Sequence, residues 1–461
     1  MIRKILPILL VLLALFSCNK KTDSSDGGTW IGGQIVNPNL DYVIISRGSA
    51  ILDTVKLDSD SFFLYRADKL EEGLYSIRHM ETQVFYLQPG DSLLMHLNTI
   101  EFDETLAYSG RGAEKNNLLM DLYLRNEREN KFLPKWYTLS PEKFTLKIDS
   151  IKVEKENEFE DFLSRNDVSE GFKEVARTSI DYDYFSKKEL YAMGNRGRAE
   201  ILDENFFAYR KEIDFNKEKL RFYYPYYRFL NRYFNGLMIS KFPPNFDRDS
   251  YEFSVAKLKT IDSTITNDSI KNSLIRYTAL RYLSCAKNAE EEKEFFKLFS
   301  ALNNNPKHLQ QIEQLTNAAV KMARGNKIPE VQFLTMENIT VDLSSIITRP
   351  TVLYFWSQDS PRQAQMTHNR AAELKSKYPE YDFLAINTDT HFKKWRNTVK
   401  KYGYDVSKEF QVENVIKAEK SLVLGTISKA IIVDKNAIIL DGSTNMFHTN
   451  FEELLLGFLN Q

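Results

Sequence analysis

Cysteine is nearly missing from these 461 residues, which contain only Cys18 and Cys285. Two cysteines exclude a disulfide framework and a multi-cysteine zinc or iron–sulfur site. The six histidines (His79, His96, His308, His368, His391 and His448) are scattered, with no HExxH and no paired spacing. No metal site and no cofactor are therefore expected. A basic excess is missing too. Lysine and arginine total 62 against 63 aspartates and glutamates, for a net charge of −1, so the electrostatic signature of a nucleic-acid partner is absent. After the N-terminus no segment approaches the roughly 18 consecutive apolar residues that a membrane span needs. What is present is a globular composition, 43% hydrophobic and 27% charged, on a chain long enough for about two to four domains. No repeat recurs at a fixed period.

Met1 to Cys18 reads MIRKILPILLVLLALFSC. Arg3 and Lys4 make a positive start, and Ile5 to Phe16 an apolar run too short for a lasting span. The run ends in Leu15-Phe16-Ser17-Cys18, which resembles the bacterial lipobox. That resemblance implies a signal peptide over residues 1–17, diacylglyceryl transfer to Cys18 and cleavage before it. Acyl chains contribute about 0.8 kcal/mol per buried CH₂, so several of them anchor stably. Asn19, rather than Asp, implies release from the inner membrane by the rule known for enteric bacteria. The expected location is the cell envelope, lipid-anchored to the outer membrane and facing the periplasm. Residues 18–28 read as a polar tether.

Residues 29–112 alternate with period two. WIGGQIV, YVIISRG, AILDTVKL, SFFLYRA, GLYSIRH, TQVFYL and SLLMHL are separated by turn residues such as Asn37-Pro38-Asn39 and Pro89-Gly90-Asp91. About seven short strands predict a small antiparallel β-sandwich. YLQPGDSLLMHL (Tyr86 to Leu97) and SGRGAEKNNLL (Ser109 to Leu119) resemble a lipoprotein-associated β-domain of unknown function that often precedes thioredoxin-like domains. Gly110-x-Gly112 lacks the remaining residues of a phosphate loop and reads as a tight strand-to-helix turn rather than an anion cradle.

Residues 113–324 carry helical periodicity and predict an all-α region. Ser140-Pro141 opens one helix as N-cap and first helical residue. Asn205 to Phe242 is rich in aromatics interleaved with Arg and Lys. At helical spacing these read first as core, with a ligand surface as the second reading, for which Tyr223, Tyr224 and Tyr227 stand as exposed representatives. Cys285 lies in register with Leu274, Thr278 and Tyr282 and reads as a small buried apolar residue, or else as a free thiol with some reactivity.

Residues 325–461 alternate strands with helices, the pattern of a sheet covered on both faces. The apolar strands are Thr351 to Trp356 and Asp382 to Asn387, then Ala430 to Val433 and Ala437 to Leu440 after the turn Asp434-Lys435-Asn436. Helices are expected from Pro361 to Tyr378, around Trp395 to Tyr402 and near Phe451 to Leu459. The order and the phrases, Gly325 to Phe333, Tyr354-Phe355-Trp356 and Ile431 to Asp434, resemble the TlpA-like thioredoxin-fold domain of membrane-anchored thiol–disulfide oxidoreductases. The fold class is thus multidomain α+β, with an N-terminal antiparallel β-sandwich, a central all-α region and a C-terminal thioredoxin-like α/β domain.

That family carries Cys-x-x-Cys at the start of the helix after Phe-Trp. Here Trp356 is followed by Ser357-Gln358-Asp359-Ser360-Pro361-Arg362-Gln363. Ser360 replaces the attacking cysteine and Gln363 the resolving one. Ser428 stands where the family's cis-proline is expected, and Tyr354 where an acid or amide sometimes precedes Phe-Trp. A hydroxyl forms no mixed disulfide and an amide resolves none, so no catalytic residue is assigned. Ser360 reads as the N-cap before Pro361. A hydrolase role for it fails because His368 is eight residues away, with no nucleophile elbow. The expected function is an envelope lipoprotein with a redox-inactive thioredoxin-like domain that binds extended peptide or another envelope component. Its expected partners are the membrane, through the lipid, and an envelope protein or peptide. The alternative is a thiol–disulfide oxidoreductase acting through Cys285 or a partner's thiol.

Overall fold

The computed structural model describes residues 28–460 except 101, 197–201, 244–245, 286, 359 and 426–428. Two compact units make up the chain, one of Met1–Thr138 and Leu146–Tyr184, the other of Leu139–Thr145 and Phe185–Gln461.

In the first unit, alternation builds strands β1 (Thr29–Val36), β2 (Tyr42–Arg47), β3 (Ala50–Lys56), β4 (Phe62–Ala67), β5 (Gly73–His79), β6 (Glu81–Leu87), β7 (Ser92–Asn98) and β8 (Ala107–Arg111). They form two four-stranded sheets, ordered β4-β1-β7-β8 and β3-β2-β5-β6. Every pairing is antiparallel except β1 with β7, which run parallel. Ile31, Ile35, Leu93 and Leu97 of one sheet share a core with Val43, Ile45, Ile77 and Phe85 of the other, each buried side chain contributing about 1.5–3 kcal/mol.

Gly110 and Gly112 both take positive φ, +89° and +90°. A Cβ on Gly110 would stand 2.1 Å from the Ser92 carbonyl oxygen, and one on Gly112 would stand 2.6 Å from the Asp91 carboxyl. The pair therefore makes the tight turn into helix α1 (Ala113–Asn130). The anion beside that helix start is the protein's own Asp91, which accepts from Lys115 Nζ at 2.9 Å with both side chains buried. Helices α2 (Pro141–Arg165) and α3 (Glu170–Gly194) follow. The Lys143 N–H reaches back to Ser140 Oγ at 3.4 Å, as an N-cap requires. Lys155 of α2 is buried against Glu129 of α1 and Asp183 of α3, at 2.7 and 3.2 Å.

The second unit contains α4 (Tyr224–Lys241), α5 (Tyr251–Thr264), α6 (Asp268–Ser284), α7 (Ala289–Leu302) and α8 (Pro306–Lys321). Tyr226, Phe229, Leu230, Phe234 and Met238 of α4 are fully buried, so the aromatic stretch is core. Of the three tyrosines expected at the surface only Tyr224 is exposed. Tyr223 is buried, and the Tyr227 hydroxyl donates to the Ser273 carbonyl at 3.1 Å. The helical stripe is wider than the spacing of these tyrosines suggests.

The C-terminal domain of this unit runs through β9 (Gln332–Leu334), β10 (Thr340–Asp342), β11 (Thr351–Trp356), α9 (Pro361–Lys377), β12 (Asp382–Asn387), α10 (Phe392–Tyr402), β13 (Glu409–Val412), α11 (Val415–Leu422), β14 (Ala430–Val433), β15 (Ile439–Thr444) and α12 (Phe451–Leu459). Its seven-stranded sheet has the order β10-β9-β13-β12-β11-β14-β15. β11 is apolar throughout because both faces are covered. Leu353 and Phe355 enter one core, and Val352, Tyr354 and Trp356 the other. The last strand begins at Ile439 rather than at Ala437, because Ala437 adopts left-handed φ 62° in the turn and its N–H closes that turn on the Asp434 carbonyl at 3.1 Å.

Candidate functional site

The C-terminal ends of β11 and β12 lie side by side in parallel register, Trp356 opposite Asn387. This is where an open α/β sheet presents its site. The segment leaving β11 is held by one carboxylate, Asp389. Its Oδ1 accepts from Ser357 Oγ at 2.5 Å, and its Oδ2 from the Gln358 backbone N–H at 2.7 Å and Asn387 Nδ2 at 2.8 Å. Gln411 of β13 donates to Asn387 Oδ1 and to the Asp389 carbonyl, at 3.0 and 2.8 Å. Thr398 of α10 donates to Gln358 Oε1 at 3.3 Å.

Ser360 occupies the N-cap position of α9, and its backbone carbonyl accepts from the Ala364 N–H at 2.9 Å. Its side chain makes no capping bond, contrary to the expected role. Its φ and ψ of −125° and 69° depart from the extended conformation that aims a capping oxygen at the first turn. Gln363 stands in the first turn, half-buried. Helix N-termini lower the pKa of a thiol placed there; the start of α9 carries Ser360 and Gln363 instead. Ser428 and Cys18 lie outside the described residues.

Beneath this segment α9 buries His368. Its Nδ1 lies 2.7 Å from the Ala364 carbonyl and its Nε2 lies 2.8 Å from Glu409 Oε1 on β13. The carbonyl only accepts, so Nδ1 carries a hydrogen, and a second proton must sit between Nε2 and the carboxylate. The ring stacks on Tyr404 at 3.7 Å and meets Trp356 and Tyr354 edge-on at 5.1 and 5.4 Å. Burial pushes the Glu409 carboxyl above the ordinary carboxylate range, and the His368 hydrogen bond partly offsets this. The Trp356 and Trp395 indole N–H groups lie beside Glu409 and draw it down further, yet neither completes a well-formed hydrogen bond. Burial, followed by the charge of Glu409, drives the Tyr354 hydroxyl well up.

Glu409 is the residue sequence reasoning missed. Its strand is four residues long, too short to show a period. The one available signal was a Glu and a Gln inside an otherwise strand-forming EFQV. Lys429, directly after Ser428, was also missed. Its buried ammonium donates to the Leu422 and Val423 carbonyls at 3.0 and 2.9 Å, where a cation suits a helix C-terminus, and burial lowers it to about 8.

Cys285 is half-buried just past the end of α6. Burial foremost, then nearby Asp249, raises its thiol above the ordinary range, the reverse of what an attacking thiolate needs. Among the described residues no group of three or more His, Cys, Asp or Glu side chains could hold a metal ion, and no helix is long and apolar enough to cross a membrane.

A thioredoxin-like family model matches residues 348–439. No curated protein matches the chain. Among solved structures, it is similar to a thioredoxin-like protein from Bacteroides caccae, at 16% identity over 46% of this chain and 78% of that one, with a TM-score of 0.36. It is also similar to the thioredoxin domain of a thiol-disulfide oxidoreductase from Bacteroides vulgatus, at 14% identity over 30% and 99%, TM-score 0.26. A thiol:disulfide interchange protein from a Bacteroides species matches at 14% identity over 30% and 91%, TM-score 0.26. The family match and the sheet together make the C-terminal domain thioredoxin-like.

Proposed function

We propose that this protein is an envelope lipoprotein, lipidated at Cys18 and anchored in the outer membrane facing the periplasm, whose thioredoxin-like domain binds extended peptide or another envelope component without redox chemistry. The observation that carries the reading is the pair Ser360 and Gln363 at the start of α9, where a dithiol would stand. The raised thiol of Cys285 supports it further, because a poorly ionised thiol is a poor nucleophile. No bond is made or broken in this role. The sheet ends and the polar segment held by Asp389 supply a preformed surface.

The test is turnover. Mature protein and its Cys285→Ala variant are both expected to leave insulin disulfides unreduced in the presence of a small-molecule dithiol. Catalytic turnover by either one overturns the reading, and turnover lost only in Cys285→Ala would move the chemistry to that thiol. Anchoring is checked separately by labelled palmitate, which is expected in the wild type and absent from Cys18→Ala.

A further inference from the structure

Helix α10 has the sequence FKKWRNTVKKY, five cations and no acid, in a chain whose net charge is −1. Trp395 and Val399 are buried in the core. At 100° per residue, Lys393, Lys394, Asn397, Lys400 and Lys401 fall on the opposite face, and all five are exposed. Among the described residues none of these four lysines makes an ion pair; Lys401 Nζ lies over the Tyr402 ring at 5.5 Å, and no carboxylate neutralises any of the four. An open cavity of about 650 Å³ lies against this helix, lined by His391, Phe392, Lys394, Asn397, Thr398 and Lys401 among others. Thr398 joins it to Gln358, and so to the segment between β11 and α9.

We infer that this groove and the lysine face of α10 form the docking surface for an acidic, extended polypeptide segment of an envelope partner. The inference rests on the peptide-binding reading above and gives the partner its chemistry. Lys393/Lys394 and Lys400/Lys401 are two pairs separated by two turns, about 10.5 Å along the axis. An extended chain in the polyproline II conformation has three residues per turn and rises about 3.1 Å per residue, so acids three apart lie on one face about 9.3 Å apart and meet one pair each. Asn397, between the pairs, offers an amide donor and acceptor to the main chain. A lipid surface is the poorer match, because interfacial helices set apolar side chains beside the basic ones, and here Trp395 and Val399 face the core.

The experiment is fluorescence anisotropy of a labelled Glu-rich decapeptide and its Gln analogue, titrated with detergent-solubilised full-length mature protein. The acidic peptide is expected to bind about tenfold or more tightly than the Gln analogue at low salt, with the advantage shrinking as salt rises. Lys393→Glu with Lys400→Glu is expected to abolish the preference, whereas Lys297→Glu, an exposed control on α7, is expected to keep it. Equal binding of the two peptides, unchanged in the double variant, overturns the charge inference and leaves the peptide reading standing. If neither peptide binds, both fall. Capture on phosphatidylglycerol vesicles that the double variant loses, without peptide binding, overturns the inference in favour of a lipid surface.

Discussion

At its N-terminal end helix α9 adjoins a loop whose half-buried carboxylate, Asp389, has three donors, whereas two turns further in the same helix packs against a carboxylate with one. Asp389 accepts from Ser357, Gln358 and Asn387. Glu409 Oε1 shares a proton with His368 Nε2, and its Oε2 has no hydrogen-bond partner among the described residues. The difference follows depth. Near the surface the backbone still has unpaired N–H groups to offer, while inside the sheet those groups are committed to strand ladders. An interior carboxylate must then be matched by a side chain or hold a proton. The start of α9 therefore has a polar loop gathered on Asp389 above it and the buried His368–Glu409 pair below.

The largest effect is expected from breaking the interior pair. Glu409→Ala leaves His368 buried without its partner and is expected to cost about 3–5 kcal/mol in urea denaturation, with His368→Leu/Glu409→Leu recovering most of it. A cost below about 1 kcal/mol for the single change would erase the contrast between the two carboxylates. Glu292 of α7 sharpens the contrast, because it is fully buried and among the described residues neither oxygen completes a well-formed hydrogen bond, although the Asn288 backbone draws it down in part. Burial raises it to about 7. The folded state then binds this proton more tightly than the unfolded chain, so its stabilising effect is complete at low pH and is lost as pH rises from about 4.5 through 7. Glu292→Gln is expected to remove that slope and to stabilise by about 2 kcal/mol at pH 8, read from denaturation at a series of pH values.

At the surface the effects are smaller. Asp389→Asn keeps the shape but loses the charge-assisted bonds from Ser357 and Gln358, and is expected to cost about 1–2 kcal/mol by thermal or urea unfolding. Smallest of all is Ser360→Cys. Its hydroxyl caps nothing, so stability is expected to stay within about 0.5 kcal/mol of the wild type. A larger loss would mean that Ser360 has become structural in its own right.

The strands β11 and β12 were legible as continuous apolar runs, since burial on both faces suppresses alternation. The start of α9 was legible from Ser360-Pro361, although the serine's missing capping bond was not, because it depends on φ and ψ. Glu409 stayed hidden for a different reason. Its partner His368 is 41 residues away, and one polar residue in a four-residue strand carries no period. The cationic face of α10 was present in plain composition, yet the balanced charge of the whole chain masked it. Charge acts over about 8–10 Å, so a local excess is lost in a global sum.

The place of β1 in its sheet has a mechanical side. β1 lies between β4 and β7, hydrogen-bonded along both edges. With the proposed anchor at Cys18, a pull on the tether enters at Thr29 and runs along the strand axis. The ladders on both sides then resist together in shear, since no edge bond can open first as it would in a strand peeled from the rim. Under the proposed anchoring, the drag of a bound partner would load the middle of the sheet rather than its rim.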